Sequence, residues 1–248
     1  MDAGRQAALR IARRAPFAAY TDLEYETARE ALAPLARRFR VRLGRRRHVA
    51  PRGRVDFRRT IRASLQHGGA LADLRFRARR PRHLDLLILA DVSGSVRYCS
   101  ALMLELVAGV YGYFRHVRSF VFIDRLAEAE FAGGHVATEP ALDLYARSDF
   151  GRVLAQVWER RTELLSAATL MVILGDGRNN RRPARADLLR DLRRRCRAVV
   201  WLIPEPAERW GTGDSAIHQY AREVDTLHPC ANLGELERSL ERSIRAVF

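Results

Sequence analysis

A short apolar run that ends in a carboxylate places the strongest constraint on how this chain can fold. Residues 84–90 are mostly aliphatic, and Asp91 follows them directly, with Ser93, Gly94 and Ser95 close behind. An apolar run of this length that stops at a Gly/Ser turn is typical of a buried β-strand that ends in a loop. Open α/β sheets bind ligands in the crevice beyond the carboxyl ends of their strands. The pattern therefore predicts one carboxylate and two hydroxyls at the place where such folds keep their sites.

The side chains of this loop have the chemistry of hard-cation ligands. Carboxylate and hydroxyl oxygens suit Mg²⁺ or Mn²⁺, whereas Zn²⁺ prefers His and Cys. Because Mg²⁺ takes about six oxygens in an octahedron, one loop cannot complete its shell. Two later stretches could add oxygens: Ser148-Asp149 precedes a helical pattern, and Asp176 follows a second apolar strand. The alternative is an ordinary strand-to-helix turn in which Ser93 or Ser95 is the N-cap.

Apolar strand patterns alternate with amphipathic helix patterns in the second part of the chain. Such alternation predicts an α/β fold with a doubly wound, mostly parallel sheet. Residues 126–131 could pair antiparallel with a strand at residues 118–123, which would supply one antiparallel edge strand. We expect residues 81–248 to form this domain, and residues 1–80 to be a basic, mainly helical N-terminal segment.

The positive charge of the chain is concentrated before the predicted sheet. The formal net charge is +15, and residues 1–82 hold 22 arginines against 7 acidic residues. Within this part, arginines alternate with apolar residues over residues 71–82, which suggests an edge strand with a cationic face. Nucleic acid is the obvious partner of such a stripe. It is not the favoured one, because the stripe lacks interleaved aromatic residues for base stacking and matches no recognised nucleic-acid motif.

Composition also bears on the compartment. The sequence contains no apolar run long enough for a membrane span and does not begin like a signal peptide. Its three cysteines, Cys99, Cys196 and Cys230, lack the spacing of metal ligands. Thiols without a metal or disulfide pattern are typical of a reducing compartment. We therefore expect a cytoplasmic protein with no membrane span.

Three short motifs, DVSGS, SDFG and LGDG, resemble in order and spacing the metal-ion-dependent adhesion site (MIDAS) of von Willebrand factor A (VWA) domains. The longer stretches PRGRVDFRRTIRASLQHGG, LADVSGS, GDGRNN and WLIPEPAERWGTGD resemble the CoxE-like branch of VWA proteins. The resemblance covers about residues 50–240. It implies a VWA/Rossmann-like fold for the predicted sheet domain.

The resemblance also assigns roles to residues of the predicted site. It implies a divalent metal, Mg²⁺ or Mn²⁺, held by Asp91, Ser93 and Ser95 of the first loop. Ser148 stands where the family has a threonine, and keeps the hydroxyl without the methyl. Asp176 matches the aspartate of the third loop, which usually acts on the metal through water or hydrogen bonds. In the family, a Glu or Asp of a partner protein completes the metal shell.

These features predict a metal-dependent protein–protein interaction module that is not an enzyme. The CoxE-like resemblance implies a role as adaptor for a MoxR-type AAA+ ATPase that remodels or matures a client, such as a metalloenzyme. The chain has no phosphate-binding loop of the form GxxxxGK[ST], so ATP hydrolysis would be supplied by that partner. A nucleic-acid-binding protein is one alternative. A Mg²⁺-dependent phosphatase is less favoured, because Ser93 stands where such enzymes need a second acid.

Overall fold

The computed structural model describes residues 3–48, 84–94, 96–132, 135–139 and 142–247. Seven β-strands form within these ranges and make one sheet. The strands are β1 Asp85–Asp91, β2 Val117–Phe122, β3 Leu126–Ala132, β4 His135–Glu139, β5 Thr169–Leu174, β6 Ala198–Ile203 and β7 Thr226–Pro229.

Helices precede the sheet and connect most of its strands. In the described ranges they are α1 Ala3–Arg14, α2 Asp22–Glu30, α3 Leu32–His48, α4 Arg97–Ala108, α5 Phe150–Glu159, α6 Arg161–Leu164, α7 Ala186–Arg193, α8 Ile217–Tyr220 and α9 Leu233–Val247. None of these described helices is long and apolar enough to cross a membrane.

The sheet confirms the predicted fold class. Its strand order is β4-β3-β2-β1-β5-β6-β7, and β2, β1, β5, β6 and β7 are parallel. Strand β3 runs antiparallel to both β2 and β4 on one side of the sheet. The chain moves outward from β1 to β4 and then resumes at β5, on the other side of β1. This reversal makes the carboxyl ends of β1 and β5 a topological switch point, where such sheets bind ligands.

Successive residues of the central strands point to opposite faces of the sheet, and helices cover both. On β1, Ile88 belongs to the core beneath α2, α3, α4 and α9. Its neighbour Leu89 belongs to the core on the other face, beneath α5, α6, α7 and α8. Both side chains are almost completely buried. The continuous apolar run of β1 is thereby explained, because a parallel strand covered on both faces needs apolar residues at every position.

The N-terminal helices are part of the packed structure. Phe39 of α3 is buried in the same core as β1 and α4. Glu237 of α9 is only 8% exposed and forms ion pairs with both Arg13 of α1 and Arg38 of α3. Two arginines offset the cost of burying one carboxylate. The boundary at residues 80 and 81 stays a prediction, since residues 49–83, with the whole arginine stripe of residues 71–82, lie outside the described residues.

Candidate metal site

Asp91 is the last residue of β1, and its side chain is completely buried. One carboxylate oxygen, Oδ1, accepts a hydrogen bond of 2.8 Å from the backbone N–H of Ser93. The backbone carbonyl of Asp91 accepts one from the hydroxyl of Ser100 in α4, which fixes the end of the strand. The second oxygen, Oδ2, is buried and accepts no hydrogen bond from any described residue. A buried carboxylate oxygen without a partner is costly, so it marks a place suited to a cation.

The surroundings of Asp91 disfavour its charge. Burial, followed by repulsion from the nearby Asp176, raises the pKa of Asp91 to about 7. The backbone N–H of Ser93 and the hydroxyls of Ser93 and Ser148 act in the opposite direction and lower this pKa. Neither hydroxyl has hydrogen-bond geometry to Oδ2. The first loop after β1, the second loop with Ser148 and Asp149, and the third loop with Asp176 therefore all contribute to the environment of one carboxylate.

The second loop is held at the end of β2. The backbone N–H of Asp149 donates to the carbonyl of Ile123, directly beyond that strand, at 2.9 Å. The carbonyl of Ser148 accepts a hydrogen bond of 2.9 Å from Nδ2 of Asn180 in the third loop. Asp149 itself is the N-cap of α5, where its Oδ1 accepts from the N–H of Arg152 at 2.9 Å. Its carboxylate is thus engaged in capping, which leaves Ser148 as the candidate ligand of this loop.

The third loop follows β5 and approaches Asp91 closely. Asp176 is 3% exposed, and its Oδ1 accepts a hydrogen bond of 3.0 Å from the N–H of Arg178. Gly175, directly before Asp176, lies close to the first loop: a Cβ added there would meet Cζ of Phe150 at 2.7 Å and Cβ of Asp91 at 3.1 Å. The first and third loops can come this close because residue 175 has no side chain.

Four of the five residues predicted as metal ligands are therefore described, and all four lie around one point. Asp91 is at the centre, and the pKa of its carboxyl responds to Ser93, Ser148 and Asp176. Ser95 lies outside the described residues, so its ligand role stays a prediction.

Arg178 does not act as a free cation at the rim of this site. It donates to both oxygens of Glu205, at 2.9 and 3.1 Å, and to Asp214 Oδ1 at 3.2 Å. Arg182 is paired with Asp149 at 3.1 Å. These arginines serve to fasten the third loop to its neighbours, because their charges are matched by carboxylates within the fold.

Two asparagines have positioning roles that the sequence did not reveal. Asn179 is 1% exposed; its Oδ1 accepts from the N–H of Phe150 at 2.8 Å, and its Nδ2 donates to the carbonyl of Arg182 at 2.7 Å. Asn180 adopts a left-handed conformation with φ of 51° and reaches Ser148. Asn tolerates such a φ better than most residues. The Gly-Arg-Asn-Asn sequence is the signal that could have indicated a turn of this kind.

The residues present fit a hard divalent cation. Asp91 and Asp176 bring carboxylates, Ser93 and Ser148 bring neutral oxygens, and Oδ2 of Asp91 has no other described partner. Among the described residues, no group of three or more His, Cys, Asp or Glu side chains is arranged to hold a metal. A cation at this point would therefore depend on hydroxyl oxygens as well as carboxylates, which suits Mg²⁺ or Mn²⁺ better than Zn²⁺.

The buried charge of Asp91 leads to a stability prediction. At pH 8 without divalent metal, Asp91→Asn is expected to raise the free energy of unfolding by about 1–3 kcal/mol, because it removes a buried charge that faces Asp176. Addition of Mg²⁺ should raise the melting temperature of the unsubstituted protein and leave that of the variant unchanged. Thermal unfolding in EDTA and in Mg²⁺ measures both effects. A variant that is less stable in EDTA, or equally responsive to Mg²⁺, would contradict this assignment.

Solved structures with similar folds are distant in sequence. A von Willebrand factor type A protein from Catenulispora acidiphila gives a TM-score of 0.46 at 15% identity, over 66% of this chain and 43% of that one. A serine-substituted aerotolerance-related membrane protein from Bacteroides fragilis gives 0.41 at 12% identity, over 65% and 98%. The ArnB paralog VWA2 from Sulfolobus acidocaldarius gives 0.39 at 9% identity, over 63% and 43%. The chain thus covers less than half of the first and third of these proteins.

A family model covers most of the chain. No curated protein matches the chain. The model described as VWA domain containing CoxE-like protein matches residues 28–237. This match begins within α2, earlier than the resemblance read from the sequence, and includes all five predicted metal ligands. The chain therefore belongs to the family of VWA domain containing CoxE-like proteins.

Proposed function

We propose that this protein is a non-enzymatic interaction module that binds a partner protein through a divalent metal. The observation that carries the proposal is the buried Oδ2 of Asp91, which has no hydrogen-bond partner among the described residues. The carboxylate of Asp91 lies at the switch point of the sheet, near Asp176 and the hydroxyls of Ser93 and Ser148. Membership of a VWA family supports the proposal, because these domains are generally protein-interaction modules.

The ligand set favours a carboxylate supplied from outside the chain. Ser93, Ser95 and Ser148 would bring no charge to the ion, so a metal held mainly by them and Asp91 stays electrophilic. The bound metal supplies Lewis acidity, and the residues of this chain hold and orient it. A glutamate or aspartate of a partner gains most from such an ion, because little resident charge competes with it.

The same residues do not support chemistry on a substrate. A phosphatase that used Asp91 as nucleophile would need an acid two residues later, and Ser93 stands there. Asp149, the carboxylate of the second loop, is occupied as N-cap of α5 and as partner of Arg182. We therefore propose binding rather than catalysis as the activity of this site.

As partners we propose a MoxR-type AAA+ ATPase and its client, for which this chain would be the adaptor. Support comes from membership of the CoxE-like family and from the lack of a phosphate-binding loop in this sequence. The partner would contribute ATP hydrolysis, and this chain would contribute the metal-dependent contact. We propose the cytoplasm as the compartment, on the basis of the three cysteines, which are free thiols.

An affinity experiment with a MoxR-type AAA+ ATPase tests the proposal. The full chain is immobilised and incubated with the purified ATPase in Mg²⁺ or in EDTA. We expect capture in Mg²⁺, and loss of at least about tenfold in EDTA or after Asp91→Ala, because the contact passes through the ion. Asp187→Ala, which removes an exposed acid of α7, is the matched control and should bind normally. Capture that survives both EDTA and Asp91→Ala would rule the proposal out.

A further inference from the structure

The loop before Ser148 presents two large apolar side chains to solvent. Leu144 is 72% exposed and Tyr145 is 98% exposed. The turn that carries them is ordered by Asp143, whose Oδ1 accepts from the N–H of Tyr145 at 2.9 Å and whose carbonyl accepts from the N–H of Ala146 at 3.1 Å. Single exposed apolar residues are common on protein surfaces, but two adjacent ones beside a candidate binding site suggest a contact surface.

Two exposed arginines near this turn, Arg147 and Arg181, are not neutralised by any residue that the structure describes. Arg147 and Arg181 form no side-chain ion pair or hydrogen bond with any described residue. In contrast, Arg178 and Arg182 of the same region are paired with carboxylates. Arg147 and Arg181 therefore remain available to carboxylates of another molecule.

The two arginines lie on loops that are fastened to each other. Nη1 of Arg182 donates to the carbonyl of Arg147 at 3.3 Å, and Nδ2 of Asn180 donates to the carbonyl of Ser148 at 2.9 Å. Arg181 lies between the two residues that make these contacts and has a left-handed φ of 59°. A non-glycine residue keeps this conformation only where its surroundings impose it. The backbone of Arg181 is thus fixed beside the second loop and its candidate ligand.

We propose that Leu144, Tyr145, Arg147 and Arg181 form a rim patch that selects the partner segment. The segment that fits is one whose metal-binding acid is flanked by an apolar residue on one side and by further acidic residues on the other. Tyrosine is prominent among residues that dominate binding energy at interfaces, and complementary charges at the rim suppress wrong partners. This inference rests on the proposed function, because the patch is carried by the loops that hold the candidate ligand Ser148 in place.

Binding of defined peptides to the full chain tests the rim patch. Two fluorescein-labelled peptides serve as probes, Gly-Leu-Glu-Glu-Glu-Gly and Gly-Gly-Gly-Glu-Gly-Gly, with fluorescence anisotropy in Mg²⁺ as the readout. The first peptide should bind about tenfold more tightly than the second, because only it can pair with the arginines and contact the apolar turn. An unlabelled oligothymidine of similar charge is added as competitor. The unlabelled acidic peptide is the reference competitor. If oligothymidine displaces the labelled peptide at a lower concentration than this reference does, the patch is a nucleic-acid surface and the inference is overturned.

Charge reversal separates the patch from the metal site. Arg147→Glu combined with Arg181→Glu should abolish the preference of about tenfold for the acidic peptide while binding of the single-acid peptide stays dependent on Mg²⁺. Arg222→Glu is the matched control, since Arg222 is exposed and precedes β7, at the amino ends of the parallel strands. Equal Mg²⁺-dependent affinities for both peptides would overturn the rim patch alone. Binding of both peptides that is indifferent to EDTA and to Asp91→Ala would overturn the proposed function and the patch with it.

Discussion

Replacement of Trp201 by alanine is expected to lower the free energy of unfolding by about 3–5 kcal/mol, the largest stability effect that we expect in this protein. Trp201 is completely buried in β6. Its ring stacks on Phe150 at 5.5 Å and on Tyr220 at 4.9 Å, measured between ring centroids. Its indole Nε1 donates to the carbonyl of Gly175 at 2.8 Å. Alanine would thus leave a large cavity and an unpaired buried carbonyl at the base of the third loop.

Chemical denaturation measures this effect, and two further variants define its parts. Trp201→Phe keeps an aromatic ring but removes the N–H donor, so it should cost about 1–3 kcal/mol and remains measurable if the alanine variant does not fold. Trp210→Ala is the matched control. Trp210 is half-buried in a surface loop and donates to the carbonyl of Glu205 at 3.2 Å. If Trp201→Ala lowers the free energy of unfolding no more than Trp210→Ala does, the aromatic cluster does not support the third loop.

Replacement of Gly151 by alanine is expected to lower the free energy of unfolding by about 2–3 kcal/mol, although alanine normally has a higher helix propensity than glycine. Gly151 lies in the first turn of α5, and a Cβ there would be 2.1 Å from the backbone carbonyl oxygen of Pro183. Because this oxygen belongs to the backbone, the clash can be relieved only if the segment around Pro183, which follows the third loop, moves. Because that segment continues from Asn180, which contacts Ser148, the variant should also bind Mg²⁺ more weakly.

Gly112→Ala is the matched control for this prediction. A Cβ at Gly112 would have no atom within 4 Å, so its effect on stability should stay within about 0.5 kcal/mol. Denaturation of the two variants side by side, with Mg²⁺ titration by calorimetry, measures both consequences. A Gly151→Ala variant as stable as Gly112→Ala would mean that α5 is not in close contact with the backbone of Pro183.

The sheet could be predicted from sequence because its central strands carry an unmistakable pattern. β1 and β5 are apolar at nearly every position, and only a parallel strand buried on both faces requires this. Asp91, which ends β1, and Asp176, which follows β5, are expected to meet because the carboxyl ends of parallel strands share one edge. The position of both loops at one edge of the sheet follows from this reasoning.

Other features depended on contacts that no local pattern encodes. β4 was not predicted, because its sequence is mixed and its strand is defined by pairing with β3. The pairing of Arg178 with Glu205 and Asp214 joins residues that are 27 and 36 positions apart. The sequence between Arg178 and Arg182 therefore does not show which arginines are paired: Arg178 and Arg182 are neutralised by carboxylates, and Arg181 has no ion-pair partner among the described residues.

The close packing under the three loops has a functional consequence. Phe150 begins α5, directly after the second loop, and its ring contacts Phe122 of β2 and Trp201 of β6. Its N–H is also bound by Asn179 of the third loop. A rigid aromatic base of this kind holds ligands of separate loops at fixed positions, which a metal site requires for affinity. We therefore expect substitutions in this base to weaken metal binding as well as stability.

Electron paramagnetic resonance of Mn²⁺ tests most directly whether Asp91 and its neighbours bind a cation. Free Mn²⁺ gives a strong signal that is lost on binding, so titration of the full chain counts bound ions. We expect one bound Mn²⁺ per chain, which excess Mg²⁺ displaces. The Asp187→Ala variant should retain this ion, and the Asp91→Ala variant should lose it. Binding of Mn²⁺ to the Asp91→Ala variant with unchanged affinity, or no binding to the unsubstituted protein, would contradict it.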